Sequence, residues 1–506
     1  MSERIGTGGI ETLEPGVVWR FFGGLAAVPR PSKREGQARC HLGEVARREG
    51  LAFREDDVGN IVMDVPATAG REAAPITVLQ AHMDMVCEKN SGVAHDFDLD
   101  PIRLIVDTDE SGGARIVRAD QTTLGADNGL GVAMALAAAT SPEVEHGPLE
   151  LLFTVDEEAG MTGAKALTPD SFRGRRLLNL DSEEDDILYI GCAGGCDTTL
   201  TWDLAATPVG SKSESVGITV SGLRGGHSGC DIHENRGNAI KVLAGILARA
   251  DGELRLAELT GGSKRNAIAR EASATVIGPA GLASSLRKTA ESMRAEVQAA
   301  SAELDLKIEV HGPGSKAPAT TLSVDDTQRL LACLAALPHG VLGMSRSVPG
   351  LVQTSNNVAT VAVEPSPDGR GLRATVGTLS RSSSEAWMSA TLEQIAGVGR
   401  LVGADVARGN AYPGWEPDVD SGLLALCRRV HESLFGAAPE VAAIHAGLEC
   451  GIIQQRVGRM EMISFGPRIE GAHSPDERVY VASVEKSWRY LVAVLDELSR
   501  PAAGTK

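Results

Sequence analysis

Residues 149–164 read LELLFTVDEEAGMTGA, a largely apolar run that stops on three adjacent acids, Asp156, Glu157 and Glu158, before a glycine-containing turn. A short greasy run bounded by turn formers describes a strand covered on both faces, the kind found in the parallel sheet of an α/β domain. Neighbouring carboxylates repel one another, and burial raises the cost of each charge. Something positive must therefore gather near this strand end, the place where open α/β sheets collect their ligands.

The same texture recurs on either side. APITVLQAHMDMV (74–86) and RLLNLDSE (176–183) are further buried strands with polar groups at their C-terminal ends, while GQARCHLGEVARREGL (36–51) and NGLGVAMALAAATS (128–141) are helices. This alternation predicts an α/β domain with a mostly parallel sheet and helices on both faces. From about 210 to 400 the pattern changes to strand, helix, strand units, twice over, as in an inserted α+β domain. The closing stretch returns to the first texture. The expected division is 1–208 and 403–506 for one discontinuous domain, with 209–402 inserted as a lid.

Bulk properties narrow the function. At 506 residues the chain exceeds the size of a single core, and 42% hydrophobic with 23% charged residues is ordinary for a folded globular protein. The net charge of -18 argues against nucleic acid or anionic membrane as a ligand, since both are bound through Lys and Arg. No secretory signal or membrane-spanning run is visible. The eight cysteines are scattered, as in a reducing cytoplasm. Cys192 and Cys196 lack a second pair that would make them a zinc knuckle. Neither G-x-G-x-x-G nor a Walker motif occurs, so nucleotide binding has no support.

Residues of metal-ligand type sit where strands end or loops begin: His82 and Asp84 in AHMDMV, Asp127 in LGADNG, Glu157 and Glu158 in DEE, Asp181 in LNLDSEE, and His473 in EGAHSPDE. Imidazoles with carboxylates spread over several strand ends commonly hold divalent metals, which would supply the missing positive charge. Successive residues of a strand point to opposite sides, so Glu158 could face a metal and Glu157 a substrate. Residues two apart share a side, which lets Asp84 orient the ring of His82. His95, His233, His339 and His431 have no such neighbours and read as surface or core imidazoles.

At these positions the sequence resembles the zinc-dependent M20 metallopeptidases, most closely their dipeptidase branch. The likeness continues through VPRPSKREGQ, TTLGADNGLGVAMA, DEEAGMTGA, GGHSGCDIHENRGNAIK, YPGWEPD, HAGLECG and GAHSPDERV, and so covers nearly the whole chain. It implies two Zn²⁺ per subunit, with Co²⁺ or Mn²⁺ as substitutes: His82 and Asp181 on one, Glu158 and His473 on the other, and Asp127 bridging. It also implies a cis peptide between Asp127 and Asn128, Glu157 as general acid/base, and Asp84 as the residue that orients His82. In the lid, His227 of GGHSG and Asn266 of KRNAIA would stabilise the transition state. Arg381 of TLSRSSSE would take the substrate carboxylate. Glu449 of HAGLECG would accept the free amine or support the metal loops, and His445 shares that ambiguity.

The resulting expectation is a cytoplasmic homodimer that hydrolyses unblocked dipeptides, Xaa-His among them, with no nucleic-acid or membrane partner. His227 would serve its own or its partner's site. The alternatives are an aminoacylase, deacetylase or tripeptidase on the same scaffold, or a metal-binding protein without catalysis.

Overall fold

The computed structural model describes residues 9–109, 112–210, 213–312 and 318–500; the expected outer domain limits, residues 1 and 506, lie outside them. The chain divides into two compact units: Met1–Gly191, Pro417–Ala443 and Glu449–Lys506 form the first, and Cys192–Glu416 with Ile444–Leu448 the second.

The first unit is built on an eight-stranded sheet in the order Ala52–Glu55, Ile61–Val65, Leu149–Thr154, Thr77–His82, Arg176–Asn179, Glu461–Ser464, Ile187–Cys192, Glu440–Ile444. Leu149–Thr154 and Thr77–His82 are buried along their full length, as their apolar runs require. The four strands from Leu149–Thr154 to Glu461–Ser464 run parallel, whereas Ala52–Glu55, Ile61–Val65 and Ile187–Cys192 pair antiparallel. The parallel strands form the middle of the sheet, as the alternation of elements predicts.

Helix Ala126–Thr140, made mostly of Ala, Gly and Val, packs against both the central strand Thr77–His82 and helix Gly16–Ala26. Its small residues permit that approach: a Cβ on Gly129 would stand 3.1 Å from the Phe22 ring and 2.7 Å from Arg30 Nη2. A separate four-stranded sheet, Ile469–Glu470, Arg478–Tyr480, Arg115–Ala119 and Leu104–Thr108, supports the turn that carries His473.

The second unit is an antiparallel sheet of nine strands with helices Ala239–Arg249, Leu282–Ala300, Val324–Ala336 and Glu385–Leu401. Its strands alternate buried and partly exposed residues, as in Ala272–Gly278, and the buried set (Val216, Ile218, Leu243, Leu286, Leu334, Val376, Ile395) forms one core. The unit is larger than the expected 209–402. Gly194–Ala205 pairs with Gly371–Ser382 on one side and Asp405–Tyr412 on the other, so the unit reaches past both expected boundaries. Asp405–Tyr412 is a largely exposed edge strand, and its sequence carries no mark of the sheet it joins.

Candidate active site

Three neighbouring parallel strands end side by side. His82 closes Thr77–His82 in register with Thr154, the last residue of Leu149–Thr154, and Asp181 follows Arg176–Asn179 by two residues. Glu157 and Glu158 are not on the strand itself. They lie in the turn after it, which begins at Asp156 with φ +55°, so the turn rather than strand alternation separates them. Asp127 stands in the first turn of helix Ala126–Thr140, at non-helical dihedrals (φ −78°, ψ 111°), and the Asp127–Asn128 peptide is cis. His473, at φ +61°, comes from the turn between Ile469–Glu470 and Arg478–Tyr480.

These residues converge. Asp127 Oδ1 lies 3.0 Å from His82 Nε2, and Asp127 Oδ2 lies 3.1 Å from His473 Nε2. His82 Nε2 is also 3.2 Å from Asp181 Oδ1, and His473 Nε2 is 3.1 Å from Glu158 Oε1. One carboxylate therefore stands between two imidazoles, each of which has a further carboxylate of its own. Asp84 lies behind His82, with Oδ1 3.3 Å from Nδ1, and accepts hydrogen bonds from the Ser32 hydroxyl and the amides of Glu157 and Glu158.

The protonation pattern follows from too many buried carboxylates in one place. Burial, then the charges of Asp181, Glu449 and Glu158, pushes the Glu157 carboxyl well above its ordinary range. Burial raises Glu158 and Asp181 as well. Asp127 is buried too, but the two histidines beside it hold it far below the usual carboxylate range. Burial opposes a charge on His82, yet Asp181, Asp127 and Asp84 together carry its pKa well up; Asp127 and Glu158 raise His473 to about 11.

The donor set suits divalent cations. Ligand atoms of His82, Asp127 and Glu158 lie within 4.8 Å of one another, and so do those of Asp127, Glu183 and His473. Glu158 Oε1 is buried, 3.1 Å from His473 Nε2. Nitrogen from imidazole with oxygen from carboxylates is the usual environment of zinc and of its cobalt and manganese substitutes. Glu183 follows Asp181 by two positions in LDSEE, where its sequence resembles any solvated acid; burial raises its carboxyl to about 8.

Glu449 is fully buried at the start of helix Glu449–Val457. Its Oε2 accepts from Gln80 Nε2 (2.7 Å) and the Thr154 hydroxyl (2.6 Å), and burial raises its pKa to about 8. It thus braces the ends of the two central strands.

The second unit holds a cluster of its own. Arg381, 4% exposed, donates to the Tyr412 hydroxyl (2.7 Å), and its Nη2 is 3.3 Å from His227 Nε2. His227 Nδ1 accepts the Cys230 amide (3.1 Å), so the neutral ring carries its proton on Nε2, on the same side as the guanidinium. Burial and the Arg381 charge lower His227 to about 4. Among the described residues no carboxylate pairs with Arg381, and its Nε is buried without a partner. Two donors and a buried, unopposed cation make an anion site. Asn266 is exposed; its carbonyl accepts the Ser228 amide beside His227, on the strand pair Gly226–His227 and Ala267–Ile268. His445 Nε2 meets the Ser355 hydroxyl at 2.7 Å.

Comparison with known proteins supplies context for this geometry. Residues 78–497 match the profile of "Peptidase family M20/M25/M40". The cytosol non-specific dipeptidase of Escherichia coli (strain K12) is 37% identical over 491 residues, which span 97% of this chain and 99% of that protein. The crystal structure of aminoacylhistidine dipeptidase from Vibrio alginolyticus superposes with a TM-score of 0.87 at 40% identity, covering 96% of this chain and 98% of the other. The aminopeptidase PepT structure from Bacillus cereus shares the fold at a TM-score of 0.55 and 16% identity, covering 97% and 100% of the two chains.

Proposed function

The chain belongs to peptidase family M20/M25/M40, and from that premise we propose that it is a metal-dependent dipeptidase acting on unblocked dipeptides, Xaa-His among them. The observation that carries the reading is the Asp127 carboxylate, with one oxygen beside His82 and the other beside His473. Two cations, zinc in the first instance, would be held by His82, Asp181 and Asp127 and by His473, Glu158 and Asp127. When bound, they supply Lewis acidity that polarises a scissile carbonyl and acidifies water.

The chain's own groups do the rest. Glu157, with its pKa raised by burial, takes a proton from the attacking water and returns it to the leaving amine. Asp84 fixes the His82 ring and the turn that bears Glu157. The anion site of Arg381 and His227 receives a peptide's free carboxylate and the charge that develops on its carbonyl, and Asn266 adds to that stabilisation. Glu449 is assigned the supporting role, since its hydrogen bonds go to Gln80 and Thr154.

The designations of the Escherichia coli and Vibrio alginolyticus relatives support the dipeptidase reading, the histidine preference and a cytosolic setting. No described helix is long and apolar enough to cross a membrane. A homodimer completes the proposal. One preparation offered Ala-His, Ala-Ala-His and N-acetyl-His tests it: Ala-His should be cleaved fastest, and preference for either of the others overturns it.

A further inference from the structure

A buried cation and a buried anion grip the same turn. Arg30, 2% exposed, donates from Nη1 to the carbonyls of Met83 (3.2 Å) and Asp84 (2.9 Å), and from Nη2 to the carbonyl of Gly125. Glu477, also 2% exposed, accepts four consecutive amides: Leu124 (2.7 Å) and Gly125 (2.9 Å) at Oε2, Ala126 (2.8 Å) and Asp127 (3.3 Å) at Oε1. The turn is shaped for this grip. Gly125 sits at φ +70°, and a Cβ there would collide with Arg30 Nη2 and stand 2.8 Å from Met85 Sδ.

Such an arrangement is a costly way to satisfy a helix start. Taking a guanidinium and a carboxylate out of water is unfavourable for each, whereas a Ser or Asp side chain at the N-cap would satisfy amides locally. The N-cap Gly125 has no side chain to offer, and the carboxylate arrives from 350 residues away. What the pair gains is register. Arg30 ties the segment of His82 and Asp84 to the Asp127 turn. Glu477, four residues beyond His473, ties that same turn to the His473 loop.

We propose that Arg30 and Glu477 are positioning residues that hold the His82, Asp127 and His473 segments in register before any cation arrives, so that the metal-binding cluster is built in advance. This rests on the metal-binding reading above. Neither residue is a ligand; each acts through main-chain groups of the segments that carry ligands, as outer partners of metal sites do.

The test uses the metal-free full chain and Co²⁺ alone as the probe, read by its visible absorption. Wild type should bind two ions per chain, and its amides at 124–127 should exchange slowly with the metal removed. Glu477→Gln and Arg30→Lys, folded by circular dichroism, should weaken Co²⁺ binding by about tenfold or more, change the absorption band and speed that exchange. Glu150→Gln is the control. Glu150 is another fully buried carboxylate, which accepts the Arg173 and Gly174 amides at 2.8 Å near the far end of its strand. It should lower thermal stability and leave Co²⁺ binding unchanged.

Wild-type affinity and spectrum in Glu477→Gln, or an equal loss in Glu150→Gln, overturns the proposal. If Glu477→Gln does not fold, Arg30→Lys decides by the same criteria. A wild type that binds no Co²⁺ overturns the metal reading itself, and the proposal with it.

Discussion

The Asp84 carboxylate fixes the backbone of Glu157, accepting its amide at 3.0 Å through Oδ1, while Oδ2 takes the next amide, of Glu158, at 3.2 Å. The same Oδ1 lies 3.3 Å from His82 Nδ1. One side chain therefore sets a ligand ring and the turn bearing the proposed base. Asp84→Asn presents an amide NH₂ where an oxygen received N–H groups. Turnover should fall by about 10- to 100-fold with the fold intact, and steady-state kinetics beside circular dichroism checks it.

Glu157 has its own consequence. Glu157→Gln removes the proton carrier and keeps the shape, so kcat should drop by about 10²- to 10⁴-fold while zinc stays bound. Undiminished turnover would remove Glu157 from the mechanism.

Arg381 should matter only to substrates with a free carboxylate. A hydrogen bond to a charged group contributes about 1.5–3 kcal/mol, so Arg381→Met should lower kcat/KM for Ala-His by roughly 10- to 100-fold. Ala-His amide, which lacks the anion, should be cleaved almost equally by both proteins. A similar loss on both substrates would assign Arg381 a structural role.

The second unit also predicts a pH effect. His227 titrates at about 4 in the folded protein, held below 6.5 by burial and by Arg381. As pH falls from 6.5 through 4 the unfolded chain takes up this proton first, so the contribution to stability is complete above 6.5 and is lost across that window. Denaturant midpoints measured from pH 7 to 4 should fall less steeply for His227→Gln than for wild type. In Arg381→Met the His227 NMR titration should move part of the way back toward 6.5.

The ligand-type residues were legible because each follows an apolar run or opens a turn, so position and chemistry coincide in one short phrase. Their supports were not. Arg30 and Glu477 act on main-chain groups that only the folded chain brings to them, and nothing in VPRPSKREGQ or GAHSPDERV separates them from surface charges. Gln80 reads as one polar residue inside a buried strand, although it holds Glu449. The α/β class follows from fully buried strands, but the antiparallel flanks do not, because Ile61–Val65 is as apolar as the parallel strands beside it. The second compact unit reaches past 208 and 402 for a related reason: edge strands such as Asp405–Tyr412 bury too little for their sequence to show where they pair.

Metal content measured on the purified chain after dialysis against zinc tests the centre of the account most directly. Wild type should hold two zinc ions per chain, and Asp127→Ala fewer than one, since each oxygen of Asp127 faces a different histidine. A wild type that retains no zinc, or an Asp127→Ala variant that retains both ions, would contradict it.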